Sequence, residues 1–237
     1  MVNCIAIDAS SETCSVSLVV NGNMTNAVSD TPRSHAKTLL PFVHELLSLQ
    51  QIALSDLDFI ACSKGPGSFT GLRIGLGVAQ GLAFGAGKPM VGVSSLESMA
   101  QAASRLYPQA ELVISLLDAR MGELYWSVTS VSSAAISSVI EPSLDGVESV
   151  NDRLKQIMLD NKGRCVLVAG GAAELLDHDS LRHLGAEVEV SVAPDAATMA
   201  TIAIDKWQAG NHCPPQDFQL DYLRNSVSWN KRQRIRS

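Results

Sequence analysis

Two aspartates stand where a carboxylate could do chemistry. Asp8 closes the apolar run CIAID, and Asp118 closes a second apolar run 110 residues later. A carboxylate at a strand end can hold a hydrated divalent cation beside phosphate groups. It can equally accept hydrogen bonds from its own turn, and the residue types fit both. Eight glycines between Lys64 and Pro89, in KGPGSFTGLRIGLGVAQGLAFGAGKP, raise the same question of phosphate binding. The P-loop pattern fails, because Gly87-Lys88 is followed by Pro89 and Leu82 stands where the earlier glycine belongs. The dinucleotide fingerprint fails too, with Thr70 in place of its third glycine. What remains is a turn from a strand into a helix, whose free N–H groups suit an anion. In VLVAGGAAELL, Gly170 and Gly171 sit between a strand and a helix, as a passage beside an adenosine or as a tight turn. Asp8, Gly170 and Gly171 are therefore the nucleotide candidates.

Other chemistries lack their residues. The histidines at 35, 44, 178, 183 and 212 form no HExxH or HxxxH pair and no cluster with cysteine, so no metal site arises from local spacing. His35 and His44 are expected on a helix surface. No GxSxG elbow marks a serine nucleophile. Cys4, Cys14, Cys62, Cys165 and Cys213 include no CxxC, as expected of buried thiols in a reducing compartment.

The elements that position these residues repeat. IDASSETCSVSL and LDARMGELYWSV each run from an apolar strand through Asp-Ala and a turn into a second strand. Strand–helix alternation around two such hairpins predicts an α/β fold of two similar lobes, each a mixed sheet with helices. The boundary falls between residues 1–108 and 109–237, with the last helix and tail packing back on the first lobe. Between the hairpins, Ser34–Gln50 carries Ala36, Leu39, Leu40, Val43, Leu46 and Leu47 on one helical stripe. Pro41 predicts a kink or a later start there. FIACS and PMVGVS read as strands. A helix over 70–86 places Gly71, Gly75, Gly77, Gly81 and Gly85 on one broad arc. One face of this helix is expected on its own sheet. The nearly bare face would admit a second helix closely, either a partner's or the Ser34–Gln50 segment.

Composition sets the frame. The 237 residues are 46% hydrophobic and 18% charged, with a formal charge of −6, which suits a globular protein and not one that grips nucleic acid over its whole surface. From Tyr222 onward there are five basic residues (Arg224, Lys231, Arg232, Arg234, Arg236) and no acidic one. That tail is either a solvated end or a contact for a phosphate backbone. The apolar stretch Ile74–Ala86 is too short for a membrane span, and the start has no basic region of a signal peptide. A cytoplasmic protein is expected.

IAIDASSETCSVSL, GPGSFTGLRIGLGVAQGLAFG, LDARMGELYW and YLRNSVSW follow in order along nearly the whole chain. Together they resemble the TsaB (YeaZ) family, bacterial subunits of the machinery that makes threonylcarbamoyladenosine in tRNA. The resemblance implies a fold of the sugar kinase/Hsp70/actin class. It also implies a non-catalytic subunit that docks on the catalytic relative TsaD, alongside the ATPase TsaE, and self-associates through the same surface when alone. TsaD carries an HxxxH metal pair after its glycine-rich helix; GVSSLESMAQ here has Ser95 and Met99 in those places. Leu39, Leu40, Val43, Leu46, Gly71, Gly75, Val78 and Leu82 are the docking residues expected on this basis. No cofactor is expected to bind this chain strongly, with ATP or ADP confined to the interface of the complex. Contact with tRNA is expected to be indirect or through the basic tail. The competing reading is an ATP-dependent phosphotransferase of the same fold, which the turn DARMGE weakens by offering only Gly122. A peptidase ranks below both.

Overall fold

The computed structural model describes residues 1–31, 34–132 and 136–224. The first lobe is a five-stranded sheet of β1 (Cys4–Asp8), β2 (Cys14–Val20), β3 (Asn23–Ser29), β4 (Phe59–Gly65) and β5 (Met90–Ser94) in the order β3-β2-β1-β4-β5. The first three strands form an antiparallel meander, and β4 and β5 run parallel to β1. Asn21 and Gly22, both at positive φ, make the two-residue turn between β2 and β3. Helices α1 (His35–Gln50), α2 (Phe69–Ala86) and α3 (Ser95–Leu106) follow β3, β4 and β5.

The second lobe repeats this plan. Its strands β6 (Leu112–Arg120), β7 (Glu123–Val131), β8 (Ile136–Gly146), β9 (Val166–Ala169) and β10 (Ala186–Glu189) take the order β8-β7-β6-β9-β10 with the same directions. Helix α4 (Val147–Asp160) follows β8, a 3₁₀ turn (Gly171–Leu175) and short α5 (His178–His183) follow β9, and α6 (Ala196–Gln208) follows β10. Asp8 and Asp118 thus lie on the first strand of each repeat, opposite Ser15 and Leu124 of the second. This duplicated α/β plan is the pair of similar lobes, each a mixed sheet with helices, that the repeated hairpins predict.

Apolar alternation decides which helix covers which face. Ile5, Ile7, Val16, Leu18 and Ile60 form the face of the first sheet that meets α1 and α2. Cys4, Ala6, Val19, Phe59 and Val91 point the other way, against Met199, Ala200 and Ala203 of α6. In the second lobe, Ile114, Trp126 and Val168 pack with Val150, Leu154 and Leu181 of α4 and α5. The opposite face, with Val113, Leu167 and Ala169, is covered by Leu96, Met99, Ala100 and Ala103 of α3. The last helix of each repeat therefore roofs the other repeat's sheet. α3 and α6 also touch, through Lys206 and Glu97 (2.7 Å) and the Ser98 hydroxyl donating to the Asp195 carbonyl (3.4 Å). The Ala196 N–H at the start of α6 donates to Ser15 Oγ (2.9 Å), fastening that helix to β2.

After α6 the chain returns along the first lobe as a strap. Met90 and Cys213 exchange backbone hydrogen bonds, and Gln80 Nε2 donates to the Pro215 carbonyl (2.6 Å). Phe218 is buried beside Gly92, and Lys64 pairs with Asp221 (2.7 Å). Arg224 then reaches the second lobe, donating to the Ala119 carbonyl (3.1 Å) and pairing with Glu123.

Some expectations change. α1 begins at His35 and runs through Pro41, which is exposed. The hydrogen bond that Pro41 cannot donate belongs to the solvent side, where water can satisfy the Lys37 carbonyl. β3 is an edge strand where the sequence reads as a polar stretch, and β8 is an edge strand to which the sequence reading assigns no element. The helix expected after VLVAGG is divided between a 3₁₀ turn and α5. Lys231, Arg232, Arg234 and Arg236 lie outside the described residues. Among the described residues no helix is long and apolar enough to cross a membrane.

Met99 sits in the exchanged layer with none of its surface exposed. Met99→Ala should cost about 2–5 kcal/mol in urea denaturation and lower the stability of both lobes in one transition. Two separated transitions, with only one displaced, would contradict the exchange as the joint between lobes.

Candidate protein-docking site

The glycine-rich turn is built around the end of β1. The Ser68 N–H donates to the Ser10 carbonyl (2.7 Å), and Ser68 Oγ caps α2 by accepting from the Gly71 N–H (3.2 Å). A methyl group at Gly67 would lie 2.3 Å from the Ser10 carbonyl oxygen, and one at Gly71 would lie 2.0 Å from that of Ala9. Both contacts are impossible, so only glycine lets α2 come this close to the strand end. Gly75 is the next in line, its missing methyl 3.4 Å from Ala9 Cβ. These glycines serve close approach of backbone to backbone.

The arc of small residues is therefore split. A methyl at Gly77, Gly81 or Gly85 would meet nothing within 4 Å, and all three positions are exposed. Phe84, 57% exposed, stands beside this row, and Leu40 on neighbouring α1 is 50% exposed. Val78 and Leu82 are partly buried against the core of the first lobe. Leu39, Val43 and Leu46 are corrected as docking residues: they are at most 3% exposed and pack inward on the sheet. Gly71 and Gly75 are corrected likewise, since β1 occupies their side. Gly77, Gly81, Gly85 and Phe84 are exposed on this helix and absent from the expected set. Their signal was present in the 100° spacing, but spacing alone does not say which end of the arc faces inward.

The nucleotide candidates are not brought together in an open cleft. Asp8 has no exposed surface. Its Oδ1 accepts from the Ser10 hydroxyl (2.8 Å) and N–H (3.3 Å), while Oδ2 has no partner. Burial pushes its acid strength down, raising the pKa above the ordinary carboxylate value, and Asp195 adds repulsion in the same direction. Gly170, at φ +117°, is required because a methyl there would lie 2.3 Å from the Leu116 carbonyl oxygen and 2.6 Å from Met99 Cε. Gly171 is exposed at the start of the 3₁₀ turn. The geometry thus gives Asp8 the role of a turn acceptor and Gly170 that of a tight turn. Asp118 differs from Asp8: it holds the Arg120 N–H (2.7 Å) and guanidinium (2.9 Å), and Arg120 reaches across to Glu12 of the first lobe (3.1 Å). Among the described residues no three His, Cys, Asp or Glu groups gather as metal ligands. His35 is buried, with Nε2 3.1 Å from the Ser11 carbonyl oxygen, while His44 is on the helix surface as expected. Burial raises the thiol of Cys4 to about 12, as expected of an inert core cysteine.

This arrangement, two exchanged lobes with a row of open glycines on α2, has close relatives. A sequence profile of the family described as TsaD, tRNA N6-adenosine threonylcarbamoyltransferase, matches residues 28–206. The tRNA threonylcarbamoyladenosine biosynthesis protein TsaB of Escherichia coli is 36% identical over 96% of each chain. The chain belongs to the TsaB family. The Haemophilus influenzae TsaB is 34% identical over 96% of this chain and 95% of its own. A solved structure, YeaZ from Pseudomonas aeruginosa, superposes with a TM-score of 0.82 at 32% identity, covering 94% of this chain and all of that one.

Two predictions follow the split of the arc and the burial of Asp8. Gly71→Ala should destabilise by several kcal/mol because the Ala9 carbonyl must move, whereas Gly77→Ala should stabilise by about 0.5–1 kcal/mol through helix propensity. Equal effects in thermal unfolding would refute the split. Asp8→Asn keeps the contacts of Oδ1 and removes the buried charge. The native carboxyl is a weaker acid than the unfolded one, so its cost appears as pH rises above the ordinary carboxylate range. Asp8→Asn should therefore raise Tm at pH 8 by an amount that shrinks toward pH 4; a gain that grows on acidification would contradict the sign.

Proposed function

We propose that this chain is a non-catalytic subunit of the machinery that makes threonylcarbamoyladenosine in tRNA, and that it docks on TsaD through the outward row of α2. One observation carries the surface: Gly77, Gly81 and Gly85 are open, and among the described residues nothing lies within 4 Å of a methyl placed there. Each interior glycine costs a helix roughly 1 kcal/mol relative to alanine. Gly71 recovers that cost through contact with β1, but the open three recover nothing within the isolated chain. A partner helix seated on them would, because bare glycine faces permit close helix packing, and Phe84 and Leu40 offer apolar flanks. Membership of the TsaB family supplies the partner.

The same reading leaves transfer chemistry to TsaD. Ser95 and Met99 stand where the resemblance places the metal-binding histidines of TsaD, and both are buried in the layer between the lobes. Neither side chain offers an imidazole. TsaE completes the assembly, ATP or ADP binds at the interface of the complex, and the isolated chain pairs with a second copy through the same row. The setting is the cytoplasm.

The test is co-elution with TsaD in gel filtration together with an assay of modified tRNA. Gly77→Leu and Gly81→Leu should each abolish co-elution and lower tRNA modification at least tenfold, with Tm unchanged or raised. A leucine variant that still co-elutes and supports modification would refute the surface. Gly75 is unsuitable as a probe, because a leucine there would strike Ala9 and perturb the fold.

A further inference from the structure

Charge is spread unevenly along the chain, and α2 lies in a stretch without acids. Between Asp58 and Glu97 there is no acidic residue, whereas Lys64, Arg73 and Lys88 are basic, in a chain with 24 acidic residues and a formal charge of −6. Lys64 is engaged with Asp221 (2.7 Å). Among the described residues, Arg73 and Lys88 form no ion pair. Glu45 on α1 and Asp217 on the strap are exposed and pair with neither cation.

These two cations bracket the open glycine row. Arg73 is exposed one turn before Gly77 and shares a cavity with it, walled by Gln80 and Gln219. Lys88 follows Gly87, the left-handed residue that ends α2, and lines a groove of about 500 Å³ with Phe84, His212 and Pro214. From Arg73 to Lys88 the chain spans about 22 Å of helix. Arg73 is poised for a carboxylate. Its guanidinium lies 3.3 Å from the centre of the Phe69 ring and 5.1 Å from that of Tyr222, and its one hydrogen bond goes to the Phe69 carbonyl (3.4 Å). Stacking holds a guanidinium by its face and leaves the N–H fork in its plane for a bidentate acceptor.

A helix seated along the whole row covers both cations, and a covered charge without a counter-charge is costly. A helix with a carboxylate near each end answers both. A second copy of this chain does not, because a two-fold pair brings the same patch from each copy together. Antiparallel α2 helices would set Arg73 against Lys88 of the second copy, and parallel ones would set Arg73 against Arg73. Like charges meet in both arrangements.

We propose that Arg73 and Lys88 decide which helix occupies the row: they select one that carries carboxylates about 22 Å apart, and they oppose pairing with a second copy. This rests on the docking reading above and names the chemistry of the partner's contact.

The experiment measures two associations of the full chain, binding to TsaD by titration calorimetry and self-association by sedimentation equilibrium, at about 50 and about 500 mM salt. Salt should weaken binding to TsaD and tighten the self-pair. Arg73→Gln and Lys88→Gln should each weaken TsaD binding about three- to tenfold and tighten the self-pair by a similar factor, with Tm unchanged. Arg73→Lys, which keeps the charge, should leave the self-pair as weak as in the parent chain. Lost packing would move both associations the same way, so parallel shifts would overturn the proposal. So would TsaD binding that neither glutamine variant alters, or a self-pair no tighter in the double variant. Gly77→Leu separates the two readings. If it abolishes TsaD binding that the glutamine variants leave untouched, docking stands and the charge selection falls. If it leaves TsaD binding intact, docking on this row fails and the charge selection fails with it.

Discussion

The close seat of α2 on the end of β1 governs this side of the molecule. Backbone meets backbone there, with the Ala9 and Ser10 carbonyls occupying the space that side chains at Gly71 and Gly67 would need. Contact of that kind tolerates no adjustment of a rotamer, so it fixes the direction of the helix as firmly as covalent geometry allows. The far half of α2 is then presented outward at a set angle, with its small residues uppermost. The same contact covers the turn after Asp8 and leaves that carboxylate facing Ser10 in the dry interior. A loop that could have opened on phosphate has become a hinge-free joint.

Much of this was legible in the sequence, for reasons that also mark its limits. The two hairpins declared themselves because an apolar strand, an Asp-Ala pair and a second strand recur in both halves. The edge strands β3 and β8 did not, since their exposed faces carry asparagine, serine and threonine, and β8 contains Pro142 near a shift in its pairing. The apolar stripe of α1 is visible in its spacing, but its neighbour is not: Leu39, Val43 and Leu46 face their own sheet and not a docking partner. Periodicity fixes angles between side chains and leaves the origin of the angle free. The same ambiguity hid the division of the glycine arc. The strap gave no periodic signal at all, because single contacts at Cys213, Pro215, Phe218 and Asp221 hold it.

The two repeats have diverged most where they began alike. Asp8 is sealed, whereas Asp118 is tied to Arg120 at an exposed turn whose ion pair with Glu12 spans the lobes. That pair is 72% and 79% exposed and contributes little to holding the lobes together. Their relative placement depends instead on the buried layers around α3 and α6, which are apolar and extensive.

Those layers have a consequence for ancestry. A single repeat on this plan would leave one face of its sheet bare, because its own third helix lies elsewhere. Only by trading that helix with a twin could such a half-length chain be covered. An ancestor of one repeat would thus have been an obligate pair of identical chains, and joining two copies end to end put both halves of that pair into one chain. The loan of helices between halves is the surviving trace of that arrangement.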